Sequence, residues 1–198
     1  MAGLRERWRR NAMRIIQERA LDLFDERGFG AVTIEEIAAA AEVSPSSVYR
    51  YFGTKEGLIV VDEFDTMSPE ELDALVDPDD PVGSLLGAVL TYESGPAPAA
   101  DGEQEPPEVI TPWRRARYFF TEPSVRRALH ASLDRASQRI APMLAAHHGL
   151  SETQARVAAN ALAFGYFAAL EQWYLDGSVR PIAEYVDEGM APLRSIWS

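Results

Sequence analysis

The sequence predicts an all-α fold on three observations. Apolar residues recur at three- and four-residue spacing along most of the chain, no period-two alternation appears, and helix starts are marked by Ser or Thr ahead of Pro or Glu. With 198 residues, 46% of them hydrophobic and 25% charged, the chain is long and apolar enough to bury a core. Without cysteine it has no disulfide framework and no thiolate nucleophile. The most apolar run, Ala161 to Leu170, is about half of the ~20 residues that span a bilayer. No apolar stretch follows the N-terminal arginines as a secretory signal requires, so a cytoplasmic protein without membrane contact is expected.

The first helix carries Ala12, Ile16, Ala20 and Leu23 on one face and stops at Gly28. Thr33 with Glu36 forms a capping-box pattern ahead of a short second helix striped by Ile34, Ile37, Ala38 and Ala41. Ser44 followed by Pro45 starts a third, because the serine oxygen caps free N–H groups and proline is pre-shaped for the first helical position. Val48 and Phe52 share its inner face before Gly53. Thr54 caps a fourth helix expected to run through Leu58, Val61 and Phe64 to Met67, with one or two further turns over Ser68 to Val76 and another helix from Val82 to Tyr92.

The stretch 93–112 holds five of the 13 prolines and reads as an exposed acidic loop. Trp113 to Phe120 follows as a short aromatic helix. Pro123 then opens a long one, striped by Val125, Leu129, Leu133, Ala136, Ile140 and Leu144, that Pro142 is expected to kink. Ser151 and Gln154 make another capping box before a helix to Asp176, and the last helix is expected from Pro181 to Trp197.

The net charge of −12 argues against a polyanionic partner when taken as an average. Its distribution reverses that. Residues 1–58 hold nine basic and nine acidic side chains and are neutral, with six arginines in the first 19 residues, while 56–113 contains no Lys or Arg. The body repels DNA and only the N-terminal helices can approach it.

Residues 33–55, TIEEIAAAAEVSPSSVYRYFGTK, are a short helix, a tight turn and a second capped helix, a helix-turn-helix pattern. Helix starts at Thr33 and Ser44 expose N–H groups on which a phosphate can sit. With Val48 and Phe52 inward, Ser46, Ser47, Tyr49 and Arg50 point outward, hydroxyls and a guanidinium suited to base edges and phosphates. Lys55, the sole lysine, suits a phosphate clamp. Tyr49 and Tyr51 also admit a reading as half-buried packing residues with free hydroxyls. The segment Arg5 to Arg10 reads either as a solvated helix end or as an arm along phosphate or in the minor groove.

The run from Arg10 to Leu58 resembles the DNA-binding domain of TetR-family transcriptional regulators. The likeness rests on F-x-E-R-G-F at Phe24 to Phe29, T-I-E-E-I-A-x-A-A at Thr33 to Ala41, V-S at Val43–Ser44, V-Y-R-Y-F at Val48 to Phe52 and T-K-E-G-L at Thr54 to Leu58. It implies DNA contacts by Thr33, Ser44, Ser46, Ser47, Tyr49, Arg50, Tyr51 and Lys55, a helix-turn-helix domain over 1–54, and a helical effector-binding and dimerisation domain over 55–198. Two positions depart from the pattern. Glu42 stands in the turn and Ser46 early in the third helix where the family carries glycine, and weakened or shifted operator binding is expected from Glu42.

Beyond residue 68 no phosphate loop, dinucleotide fingerprint, HExxH or G-x-S-x-G pattern occurs, so no enzyme, cofactor or metal is expected. Aromatic residues cluster instead, and Trp113, Arg117, Tyr118, Phe120, Phe164 and Phe167 are the expected walls of a pocket for an apolar or aromatic effector. Arg114, Arg115 and Arg117 face either an anionic effector or the acidic loop. The partners this reading implies are double-stranded operator DNA, a small-molecule effector and a second copy of the chain in a homodimer. The resulting function is a transcriptional repressor released from its operator by the effector. The alternative is a small helical ligand-binding protein or enzyme that keeps the scaffold without specific DNA binding.

Overall fold

The computed structural model describes residues 2–94 and 112–194, and these are helical with no strand among them. The expected loop at 93–112 lies almost wholly outside the described residues, as does Trp197. By internal contacts the chain forms two compact units. One comprises residues up to Glu63 with Tyr118–Leu129, and the other comprises Phe64–Arg117 with the residues from His130 on. The first unit thus reaches past residue 54, because Leu58, Ile59 and Val60 are buried in it.

In the N-terminal unit, helix α1 (Ala2–Arg27) buries Met13, Ile16, Ala20 and Phe24. The arginines from Arg5 to Arg10 are inside α1, so they form helical turns and not an extended arm. A 3₁₀ turn (Phe29–Ala31) leads to α2 (Ile34–Ala40) and α3 (Pro45–Phe52), whose inner residues Ile37, Val48 and Phe52 close the core. The turn between α2 and α3 is a Schellman motif: the Val43 N–H donates to the Ala38 carbonyl at 2.9 Å and the Glu42 N–H to that of Ala39 at 3.2 Å. It requires a left-handed residue, and Glu42 supplies it with φ 54°.

The expected fourth helix is interrupted. It divides into α4 (Gly57–Val60) and α5 (Glu63–Thr66), with Val61 extended between them. Two long side chains satisfy the carbonyls that a continuous helix would have used. Gln17 Nε2 donates to the carbonyls of Leu58 (3.2 Å) and Val61 (2.8 Å), and the β-branched run Ile59–Val60–Val61 adds little helical preference of its own. In the second unit, Arg139 donates to the carbonyls of Phe64 (2.7 Å) and Met67 (2.6 Å) and stacks over the Phe64 ring.

The second unit continues with α6 (Pro69–Leu75), capped by Ser68, then α7 (Pro81–Ser94) and a 3₁₀ turn over Pro112–Arg115. Helix α8 (Ala116–Thr121) begins in this unit and ends in the first, as the N-terminal turns of α9 (Pro123–His148) also belong to the first. The aromatic helix expected from Trp113 is therefore a 3₁₀ turn followed by a short α-helix. Helix α9 continues as one element through Pro142. Helices α10 (Glu152–Leu175) and α11 (Ile182–Arg194) pack on each other and α11 on α7, burying Leu162, Leu170, Ile182, Val186 and Met190. No helix among the described residues is long and apolar enough to cross a membrane.

Candidate nucleic-acid interface

Helix α3 presents the outward residues. The Ser44 hydroxyl accepts from the Ser47 N–H at 3.2 Å and meets the hydroxyls of Ser46 (2.8 Å) and Ser47 (3.0 Å), so three serines cluster at the first turn. Ser44, Ser46, Tyr49 and Arg50 are exposed, whereas Val48 and Phe52 are buried. Tyr49, with 49% of its surface open, is not a packing residue. Tyr51 is half-buried, its ring edge against Phe52. Arg50 stacks on Tyr51 at 4.8 Å and donates to its hydroxyl at 3.2 Å, which holds the guanidinium along the helix surface.

The helix is closed at Gly53, where φ is 72° and the Thr54 N–H turns back to the Phe52 carbonyl at 2.8 Å. This γ-turn conformation is open to glycine and strained for other residues. The next glycine serves space and not dihedral freedom: a Cβ on Gly57 would lie 1.9 Å from the Phe52 carbonyl oxygen.

Two expected contacts are already committed within the domain. The Lys55 ammonium donates to the carbonyls of Phe29 (2.6 Å) and Val32 (2.8 Å) and lies 4.4 Å from the centre of the Phe29 ring. It ties the 3₁₀ turn to the start of α4 and has one of its three protons left for a phosphate. Thr33 is bound in a reciprocal box: Glu36 takes its N–H (2.8 Å) and hydroxyl proton (3.0 Å), and the Glu36 N–H returns to the Thr33 oxygen. These bonds, the Thr33 backbone N–H foremost and Arg27 at 2.8 Å next, lower the Glu36 carboxyl from its ordinary 4.5 to about 2. Glu36 therefore remains an anion beside Thr33, where a phosphate would have to approach.

The residue pattern from α1 to α4 has a counterpart among known proteins. Residues 16–60 match the family described as bacterial regulatory proteins, tetR family. Over its N-terminal helices the chain is similar to that family. Sequence relatives include the HTH-type transcriptional regulator HbdR of an Aromatoleum species, 34% identical over 79 residues that cover 37% of this chain and 33% of the relative. A second is the HTH-type transcriptional regulator TcmR of Streptomyces glaucescens, 46% identical over 55 residues, 27% of this chain and 24% of the relative. The matched stretches span about a quarter to a third of those relatives.

Two solved structures share the fold across nearly the whole chain. NalD, the secondary repressor of the MexAB-OprM multidrug efflux pump in Pseudomonas aeruginosa, has a TM-score of 0.53 at 18% identity, covering 93% of this chain and 96% of NalD. Thermus thermophilus FadR, a repressor solved with lauroyl-CoA, has a TM-score of 0.52 at 21% identity, covering 91% and 92%. The chain thus pairs a helix-turn-helix with a helical C-terminal part.

The six residues expected around an effector divide between the two units. Tyr118 is buried in the N-terminal unit, its hydroxyl donating to Asp25 and its ring against Phe24 and Phe29. That side chain is a core residue of the unit holding α1, which corrects its expected place. Phe120 packs edge-on against Phe119 in the same unit, Arg117 is exposed on α8, and Trp113 lies in the 3₁₀ turn. Phe164 and Phe167 on α10 do come together, flanking His130 of α9 with ring centres at 5.9 and 5.3 Å. The sequence offered no signal for His130, since it lies over thirty residues away from its ring partners.

Proposed function

We propose that the protein is a sequence-specific DNA-binding transcriptional regulator, a repressor that a small-molecule effector releases from its operator. The observation that carries this reading is α3: eight residues, capped at both ends and anchored by Val48 and Phe52, with Ser46, Tyr49 and Arg50 outward. A rigid helix with hydroxyls and a guanidinium on its outer face is suited to the major groove, with Arg50 reading a guanine edge or a phosphate. Ser44, Ser47, Tyr51 and the remaining Lys55 proton position the helix on the backbone.

The protein acts as a homodimer through α10 and α11. Val157, Ala161, Phe164, Ala168 and Leu175 lie on one outer stripe of α10, and Val157 and Leu175 have 65% and 69% of their surfaces open. A two-fold interface covers such a stripe and sets the spacing of the two α3 helices on two half-sites. Effector binding favours the state in which that spacing no longer fits, through its differential affinity for the two states.

The test is a titration of the protein on DNA from its own promoter region at several salt concentrations. Binding that weakens steeply with salt and is lost in Arg50→Ala supports the reading. Equal binding by wild type and Arg50→Ala, or no preference for any sequence in a random-site selection, overturns it.

A further inference from the structure

We propose that a groove between α9 and α10, in the second unit, binds a small organic cation carrying N–H donors on a planar apolar body. Its use as the effector site rests on the regulator reading above; binding itself does not. The groove has a volume of about 810 Å³, within the range that holds a drug-sized molecule. Its floor is built from the methyl groups of Ala141, Ala145 and Ala155 and the ring of Pro142, small surfaces on which a flat body can lie.

The polar groups of this groove are mostly acceptors. Pro142 has no N–H, so the carbonyl of Gln138, one turn earlier on α9, lacks its usual helical donor. Both residues line the groove. Several donors nearby are engaged: one Gln138 Nε2 proton on the Asp134 carboxylate at 2.8 Å, one Asn160 Nδ2 proton on the Arg156 carbonyl at 2.9 Å, and the buried Ser137 hydroxyl on the Asp134 carbonyl at 2.8 Å, with Asn160 Oδ1 at 3.4 Å from the same hydroxyl. Remaining lone pairs on the exposed Asp134, Glu152, Gln138 and Asn160 are open to a ligand that supplies protons in place of water. Among the described lining residues Arg156 is the one cation and is outnumbered by Asp134 and Glu152. An amidinium, guanidinium or primary ammonium group meets both the charge and the acceptor excess.

One helical turn beyond the Asp134–Asn160 end, His130 sits between Phe164 and Phe167. Phe164 and Phe167, which the sequence associates with an effector, lie further along α10 than Asn160 and are not among the described residues that line this groove.

The experiment is calorimetric titration of the full chain, without DNA, with benzamidinium, neutral benzamide and benzoate as probes. Benzamidinium is expected to bind one per chain, about tenfold tighter than benzamide, with benzoate weakest. Asp134→Asn and Glu152→Gln should each weaken benzamidinium by several-fold, and Arg156→Gln should strengthen it. Ala146→Leu, which fills the groove at an exposed position without changing charge, should abolish binding while the melting temperature stays within a degree or two. Equal affinity for benzamidinium and benzamide, absence of saturable one-to-one binding, or indifference to Ala146→Leu overturns the proposal. Because DNA is absent, these outcomes are independent of whether the protein recognises an operator.

Discussion

Lys55→Met separates a residue that holds the domain together from one that holds DNA. Methionine keeps the length of the stem and its packing on Phe29 while removing the ammonium. Two bonds from a charged donor to carbonyls at 2.6 and 2.8 Å are lost, each worth about 1.5–3 kcal/mol when shielded. Lys55 is half-exposed, so about half of that survives solvent screening, and the contact with the Phe29 ring at 4.4 Å adds about 0.5–1 kcal/mol. The expected loss is about 2–4 kcal/mol, or about 4–16 °C in melting temperature for a chain of this size. The assay pairs thermal unfolding with DNA titration at a temperature where both variants are folded. Lys55→Met should lose stability first and DNA affinity modestly. Arg50→Ala should keep its melting temperature while losing DNA affinity, with the salt dependence shallower by about one ion per subunit. If Lys55→Met melts with the wild type and yet loses DNA as completely as Arg50→Ala, the tether reasoning is refuted.

Gly57→Ala places a Cβ 1.9 Å from the Phe52 carbonyl oxygen, and a backbone shift between α3 and α4 must follow. Loss of about 3 kcal/mol or more, or failure to yield soluble protein, is expected; an unchanged melting temperature would contradict the packing described. Glu42→Gly relieves a left-handed residue at φ 54° and removes a negative charge from the turn before α3. It should stabilise by about 1 kcal/mol and tighten DNA binding, both checked in the same titration. The lowered Glu36 carboxyl contributes stability that is complete above pH 4.5 and is lost as pH falls towards about 2. Glu36→Gln should therefore show a flatter acid-unfolding profile between those values than wild type. Tyr118→Phe removes the phenol donor to the exposed Asp25 and should cost about 0.5–1.5 kcal/mol in the N-terminal unit, read by hydrogen exchange in α1.

Much of the fold was legible because its signals are local. The caps at Thr33, Ser44, Ser68 and Ser151 reach only three residues ahead, and the stripes through Ile16, Val48 or Leu162 follow from the helical period alone. The outward face of α3 could be read for the same reason: once Val48 and Phe52 are inward, helical geometry puts Ser46, Tyr49 and Arg50 outside. The interruption at Val61 was not legible. It depends on Gln17, whose amide reaches the carbonyls of Leu58 and Val61 from 41 and 44 residues away.

The sequence by itself determined an all-α chain, a neutral N-terminal domain on an acidic body, and the outer face of its third helix. Only the tertiary structure decided which polar groups on those helices remain available. Lys55 reads from its position as a free cation, but the carbonyls that engage it come from 23 and 26 residues earlier. Tyr118 reads as a pocket wall, but its hydroxyl belongs to Asp25, 93 residues away. Helix formation is settled within a turn or two of the chain, whereas a long side chain's donors go to whichever acceptors the packed core brings within about 3 Å.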